Sequence, residues 1–305
     1  MILTLEELAL KFSQEMGWGD FTQSRQGKTI FSFLYASAQK CLESFIVLDI
    51  SAGQCRYKPF FNHTQYAAID SAVGDPNWDF SKLDIIGDAL KMPIKSESVD
   101  VCLNFTSLEH YTDPVQAFEE FFRVLKPGGR LFLYVPFVQV EHQIPHDYYR
   151  YTRYGLAHLC TQRGFDIEFI IPSNGIFETA LNFLHQAINL IGPIQEQTRL
   201  RNVVEKEIRP IFNTIENNEN VATPHPFHPF VPQWPVVYCL SGQKPGLSPN
   251  SVLHNSKEDL IRSITACPDC HVNLLWDPSS AHCPRCNKSY ILVNGIPDFT
   301  KCSPE

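Results

Sequence analysis

Short apolar runs alternate with amphipathic stretches along most of this chain. The runs "FIVLDI" (45–50), "YAAID" (66–70), "LDIIG" (83–87), "VDVCLNF" (99–105) and "RLFLYVPF" (130–137) carry β-branched or aromatic residues without polar alternation. That is the pattern of strands buried on both faces. Residues 5–17 and 28–43 space their apolar positions by three and four and predict two leading helices. "DPVQAFEEFFRVLKPGG" (113–129) predicts an amphipathic helix with Asp113 as N-cap and Pro-Gly-Gly as its stop. "TRYGLAHLCTQRGF" then reads as a helix and "DIEFIIP" as the strand after it. Such alternation implies an α/β, doubly wound, mostly parallel sheet.

The second half changes character. Residues 175–218 read as helical, with Phe177, Leu181, Leu184, Ile188 and Ile191 on one stripe, an insertion expected to cover the sheet or the pocket. Residues 223–235, "TPHPFHPFVPQWP", hold too many prolines for a helix and predict an extended connector. "VVYCLSGQK" predicts a last strand, antiparallel and at a sheet edge. The expected domains are leading helices (1–44), an α/β domain (45–244), a Pro/Gly/Ser-rich linker (245–261) and a small C-terminal module (262–305).

Composition narrows the classes. A chain of 305 residues, 44% of them apolar, can bury a full core. A formal net charge of −8 with no basic run argues against a nucleic-acid-tracking surface, which works by clustered Lys and Arg releasing counterions. The N-terminus mixes acids into its apolar positions, unlike a signal peptide, and no run approaches the roughly 20 apolar residues of a membrane span, so the expected location is cytoplasmic. Of ten cysteines, four form two CxxC pairs, which favours metal and buried thiols over a disulfide framework.

The candidate chemistry begins at "VLDISAGQCR" (47–56), where an apolar run ends in an acid and breaks into a loop of small residues holding one glycine. Asp49 ends the first strand, Asp70 ends the second, and Asp88 follows the third, so three acids at successive strand ends face one crevice. An acid about 20 residues beyond such a loop is where a ribose diol is held. Taken singly, Asp49 also reads as a helix N-cap and Asp88 as a turn residue.

Together with "GDALKMPIKSESVDVCLNFTSLEHYTDP" and "FEEFFRVLKPGGRLFLYVPF", these stretches resemble the class I S-adenosylmethionine-dependent methyltransferases of the small-molecule type, over about residues 28–175. The resemblance implies a seven-stranded Rossmann-like sheet. It also implies that Ser51, Ala52 and Gly53 wrap the methionine part beside Asp49, that Asp70 holds the ribose, that Asp88 and Ala89 meet the adenine, and that Asn104 and Phe105 line the methyl-donor side. Ser51 and Cys55 stand where the family has glycine; close approach survives if both keep negative φ, and a position needing φ above zero would be strained by either.

Acceptor groups in this family come from the loops after the fourth and fifth strands, here "SLEHYTDP" and "VQVEHQIPHDYYRYT". The second resembles a His-Asp-Tyr-x-Arg-Tyr/Phe-Thr run of methyltransferases from glycan and secondary-metabolite pathways. His146 is the candidate general base, since neutral imidazole accepts protons at pH 7, with Asp147 orienting it or binding the acceptor and Tyr149 beside them. Alternatively Tyr148, Tyr149 and Arg150 pin the next helix to the sheet, with Thr152 as N-cap. Glu109 and His110 read as a structural turn, and His225 and His228 are left outside the site.

At the C-terminus, "CPDC" (267–270), twelve residues and "CPRC" (283–286) have the spacing of a tetrahedral structural zinc site of Cys267, Cys270, Cys283 and Cys286. His271 and His282 are spares, and redox CxxC chemistry expects one pair near a βαβ unit instead. The following "SYILVNGIPDFT" is similar to the Trm112 family of zinc-ribbon methyltransferase activators, over about residues 262–302. That likeness implies a ribbon docking on its own catalytic domain or on a protein partner. The expected function is S-adenosylmethionine-dependent methyl transfer to a small-molecule or glycan-type acceptor. The competing readings are a non-catalytic scaffold with a degenerate fold, and methylation of protein or RNA.

Overall fold

In the computed structural model, residues 25–173, 176–216, 236–247 and 250–303 are described. The expected helix at 5–17 and the Pro-rich connector with His225 and His228 lie outside them. Seven strands form the expected Rossmann-like core in the order β6-β7-β5-β4-β1-β2-β3: β1 (Ile46–Ile50), β2 (Gln65–Asp70), β3 (Ile85–Ile86), β4 (Val99–Phe105), β5 (Leu125–Pro136), β6 (Asp166–Pro172) and β7 (Val237–Gln243). β1 to β5 run parallel, and β7 runs antiparallel to both β5 and β6. The last strand was expected at the edge. Instead β7 lies between β5 and β6, because its continuously apolar "VYCL" requires cover on both faces, whereas half-exposed β6 tolerates the edge.

Helix α1 (Arg25–Gln39) covers one face of the sheet through Ile30, Phe31, Phe33 and Leu34. Helices α2 (Pro114–Val124) and α3 (Arg153–Gln162) cover the other. The side chain of Asp113 accepts from the amide of Gln116 (3.0 Å) and caps α2, as expected, while Ala117, Phe118, Phe121 and Val124 are fully buried. The helix ends earlier than expected, at Val124, and "LKPGG" is already strand. A Cβ at Gly129 would sit 2.9 Å from the Lys126 carbonyl and 3.0 Å from that of Asp100, so only glycine lets β5 pass this close to β4. Thr152 caps α3 through the Gly155 amide (3.1 Å).

The insertion forms α4 (Ile176–Leu190), α5 (Ile194–Val203) and α6 (Arg209–Glu216). Its stripe is only partly buried. Leu181 and Ile188 pack with Val204, Ile208 and Phe212 in a cluster of their own, while Leu184 and Ile191 remain exposed. Among the described residues the insertion touches the loop after β5 through Gln186 and Gln139, and it does not line the cleft described below.

The expected linker is strapped down. Ser251 donates to the buried Asp100 carboxylate (2.6 Å), which Lys126 also grips (3.0 Å) and which accepts from the Ile46 amide (2.7 Å). Its last residues open helix α7 (Lys257–Ile264), so the linker ends near Ser256 rather than 261. Leu260, Ile261 and Ile264 of α7 join the main core.

Four further strands, β8 (Leu275–Trp276), β9 (Ser280–His282), β10 (Ser289–Val293) and β11 (Ile296–Ser303), form an antiparallel ribbon that extends the sheet beyond β3. The junction pairs Asp298 with Ile86 in parallel, and the Lys95 amide donates to Ile264 (2.7 Å) and that of Ala266 to Pro93 (3.0 Å). Cys267, Cys283, Tyr290 and Phe299 belong to the same apolar cluster as Phe118 and Leu131. The ribbon thus packs on its own α/β domain. No described helix is long and apolar enough to cross a membrane.

Candidate functional site

The C-terminal ends of β1, β2, β3 and β4 open into one cleft of about 1010 Å³, where open α/β sheets bind ligands. This is at the upper end of the roughly 300–1,000 Å³ typical of small-molecule pockets, enough for two ligands side by side. Ser51, Ala52, Gly53, Asp70, Asp88, Ala89 and Phe105 line it, as do Glu109, His110, His142 and His146.

The 51–55 loop departs from the sequence expectation. Ser51 (φ 58°), Gly53 (φ 53°) and Cys55 (φ 56°) all adopt the left-handed conformation. Ser51 and Cys55 therefore hold a glycine shape at a cost of about 1–2 kcal/mol each. Their side chains offset part of it: Ser51 Oγ hydrogen-bonds Tyr111 Oη (2.7 Å), and Cys55 is buried with its thiol donating to the Lys82 carbonyl (3.4 Å). Burial pushes that thiol up to about 12, so it packs as a neutral group.

Asp70 fastens the loop to the next strand. Its Oδ2 accepts from the Gly53 amide (2.9 Å) and its Oδ1 from that of Ala72 (2.8 Å). Burial raises its pKa and these two amides lower it again. Each oxygen keeps a second lone pair toward the cleft, which is what a diol needs. Asp88 is exposed, with Oδ1 held by the Leu90 amide (2.8 Å) in a turn and Ala89 buried beside it.

Four of the candidate residues lie off the cleft lining, Tyr149 among them exposed on the protein's surface. Asp49 is 1% exposed, accepts from Tyr66 Oη (2.6 Å), and is pushed up to about 7 by burial. Asn104 is fully buried and its amide nitrogen donates to the Ile50 carbonyl (3.1 Å) and to Ser107 Oγ (2.7 Å), bracing the loop from below. Asp147 is gripped by Arg150 through both oxygens (2.6 and 2.7 Å), which holds its pKa down at about 2. Tyr149 donates to the Thr112 carbonyl (3.3 Å). None of the four is on the cleft surface, and Asp147 does not touch the His146 ring, whose Nδ1 instead faces Tyr148 Oη (3.4 Å).

Trp78 was not nominated. Its ring lies over the loop, within 3.8 Å of a Cβ built on Gly53 and 2.8 Å of one on Gly74, so Gly74 is what admits it. A tryptophan in the otherwise largely polar loop "GDPNWDF" was the available signal.

In the ribbon, Cys267, Cys270, Cys283 and Cys286 bring their sulfurs within 4.8 Å of one another, and Cys267 and Cys286 lie 3.7 Å apart. Zn–S bonds of about 2.3 Å in a tetrahedron require a separation of about 3.8 Å, so the four thiols fit zinc. His271 (φ 53°) and Asn287 (φ 60°) turn the chain after each pair, with their amides returning to Cys267 (2.8 Å) and Cys283 (3.0 Å). Neither His271 nor His282 joins the cluster.

Residues 32–133 match the family described as "Methyltransferase domain". Over 50 residues the chain is 42% identical to a probable S-adenosylmethionine-dependent methyltransferase of Mycolicibacterium smegmatis, covering 16% of this chain and 20% of that one. Over 63 residues it is 41% identical to the ubiquinone/menaquinone biosynthesis C-methyltransferase UbiE of Ruegeria, covering 21% and 23%. The chain spans between 9% and 36% of the length of the curated relatives it matches. Among solved structures it is similar to the complex of the Haloferax volcanii Trm112 methyltransferase activator with its methyltransferase, at 16% identity and a TM-score of 0.45, covering 78% of this chain and 98% of that one. Residues 32–133 thus match a methyltransferase domain, and the strands they contribute belong to the Rossmann-like sheet described above.

Proposed function

We propose that this methyltransferase transfers a methyl group from S-adenosylmethionine to a small-molecule or glycan-type acceptor, with a zinc ribbon acting structurally. The observation that carries the reading is one cleft lined by a left-handed loop, by Asp70 and Asp88, and by the histidines His110, His142 and His146. When bound, the cofactor supplies a methyl group activated on a sulfonium. Asp70 would accept the ribose hydroxyls, Asp88 and Ala89 would meet the adenine, and the backbone of Ser51 to Gly53 would approach the methionine part. Asn104 and Asp49 would act from behind, Asn104 by bracing the loop and Asp49 as a buried carboxyl group held by Tyr66.

Transfer is an in-line displacement, so the protein chiefly aligns donor and acceptor and removes a proton. His146, on the cleft wall, is the base in this reading. Asp147 and Tyr149 fix the loop that carries it rather than touching the acceptor. The cleft's lining includes the acids Asp70, Asp75, Asp88 and Glu109 but a single Arg and no Lys, which favours a neutral or cationic acceptor over nucleic acid. The four-cysteine site leaves no open position and would serve stability.

Calorimetric titration with S-adenosylmethionine tests the reading. Binding is expected in the micromolar range, and no detectable heat at high micromolar cofactor would leave the scaffold reading standing. Retention of tRNA or ribosomal material in a pull-down would overturn the acceptor class.

A further inference from the structure

The acceptor wall holds a group that the function above does not use. Glu109 is fully buried, on a short turn (Leu108–His110) after β4, and among the described residues neither carboxylate oxygen has a hydrogen-bond partner. A buried, unpaired carboxylate is costly unless a cation meets it. His110 Nε2, itself buried without a hydrogen-bond partner, lies 3.7 Å from Glu109 Oε1, and His142 Nε2 lies 3.7 Å from the same oxygen. All three ligand atoms fall within 4.8 Å of one another, and all three residues line the cleft.

The outer nitrogens are already engaged. His110 Nδ1 donates to the His146 carbonyl (2.6 Å), so its Nε2 lone pair points inward. His142 Nδ1 lies 3.3 Å from Asp147 Oδ2, and Asp147 is fixed by Arg150 and by the His142 amide (2.9 Å). An imidazole tied by its far nitrogen to a carboxylate or carbonyl is the arrangement that orients metal-ligating histidines.

We propose that Glu109, His110 and His142 bind a divalent first-row transition ion whose open positions face the cleft and take an oxygen donor of the acceptor. Two imidazoles and one carboxylate suit such ions. Ligand bonds of about 2.1 Å require inter-ligand separations of about 3.0–3.4 Å, so each 3.7 Å Glu109–histidine pair closes by about 0.3–0.7 Å on loading, and the two imidazoles, within 4.8 Å of each other, draw together with it. The catalytic consequence rests on the methyltransferase reading, whereas metal binding does not. In that consequence the ion holds an acceptor hydroxyl and lowers its pKa. The O–H proton passes to the His146 imidazole, the oxygen lone pair forms the new O–CH3 bond, and the donor's S–CH3 bond breaks with sulfur keeping the pair.

The test is a titration of the full, zinc-loaded protein with cobalt(II), followed by visible spectroscopy. One cobalt beyond the ribbon metal is expected per chain, with nitrogen/oxygen-type bands and no thiolate charge transfer. Glu109→Gln and His142→Ala should each weaken it at least 100-fold, while the ribbon keeps its zinc and the circular dichroism is unchanged. No uptake by the wild-type protein, or uptake that neither variant weakens, would overturn the site. Cobalt binding without S-adenosylmethionine binding would keep the site and reject the methyltransferase reading.

Discussion

Replacing Asp49 with Asn is expected to flatten a loss of stability that the protein undergoes as pH rises from 5 to 8. The carboxylate is 1% exposed, its hydrogen-bond partner is Tyr66 Oη at 2.6 Å, and Asp70 adds a like charge nearby. Burial holds its pKa at about 7 against an ordinary 3.8. The folded protein therefore binds this proton more tightly than the unfolded chain. Its contribution is complete below pH 3.8 and is lost as pH rises through about 7. At 1.36 kcal/mol per pH unit the gap corresponds to about 4 kcal/mol, of which about 3 kcal/mol falls between pH 5 and 8.

Asn keeps an acceptor for Tyr66 and cannot ionise, so it adds at most a constant offset for its extra amide hydrogens. Urea unfolding of both proteins at pH 5, 6, 7 and 8 measures the difference. Asp147 and Glu168, both held down at about 2, lose their contributions only in acid and are common to the two proteins, so they cancel. Parallel stability curves across this range would refute the claim that the folded protein carries Asp49 as a buried, strongly shifted acid.

Further outcomes follow from the loop, the acids and the ribbon. Asp70→Asn should weaken S-adenosylmethionine binding by about 10- to 100-fold, since a charged acceptor of two loop amides is worth about 1.5–3 kcal/mol; unchanged calorimetric affinity would count against its role. Ser51→Gly should melt within a few degrees of wild type, because relief of left-handed strain roughly balances the lost Tyr111 contact, whereas Ser51→Ala keeps the strain, loses the contact and should cost about 1 kcal/mol. The opposite order of melting temperatures would contradict that account. Metal analysis should find about one zinc held by the four cysteines. Its chelation should lower the unfolding temperature of the whole protein, as ribbon and α/β domain share one core, and an unchanged melt would disprove the coupling. His146→Ala should reduce turnover while sparing cofactor affinity.

Much of the fold was legible because its signals are local. Asp113 capped its helix, "DIEFIIP" became a strand over the same residues, and the CxxC pairs converged, since capping geometry, strand burial and knuckle spacing are written within a few neighbouring residues. What failed depended on partners distant in sequence. "VVYCLSGQK" was legible as an antiparallel strand, but its interior position was decided by which neighbours could cover it. Ser51 and Cys55 could not be assigned a sign of φ, because the loop's shape is set by Asp70 from the next strand.

The sequence by itself determined the alternating α/β order, the acids at successive strand ends and the four-cysteine module, because periodicity and spacing are properties of the chain alone. The tertiary structure decided which of those acids faces the cleft: Asp70 and Asp88 line it, whereas Asp49, inside β1, is buried against Tyr66 of β2. Only packing could bring His142 from one loop to the carboxylate oxygen of Glu109 on another. It also merged a ribbon that reads as separate into the core beside Phe118, since apolar surface is buried wherever it meets its match.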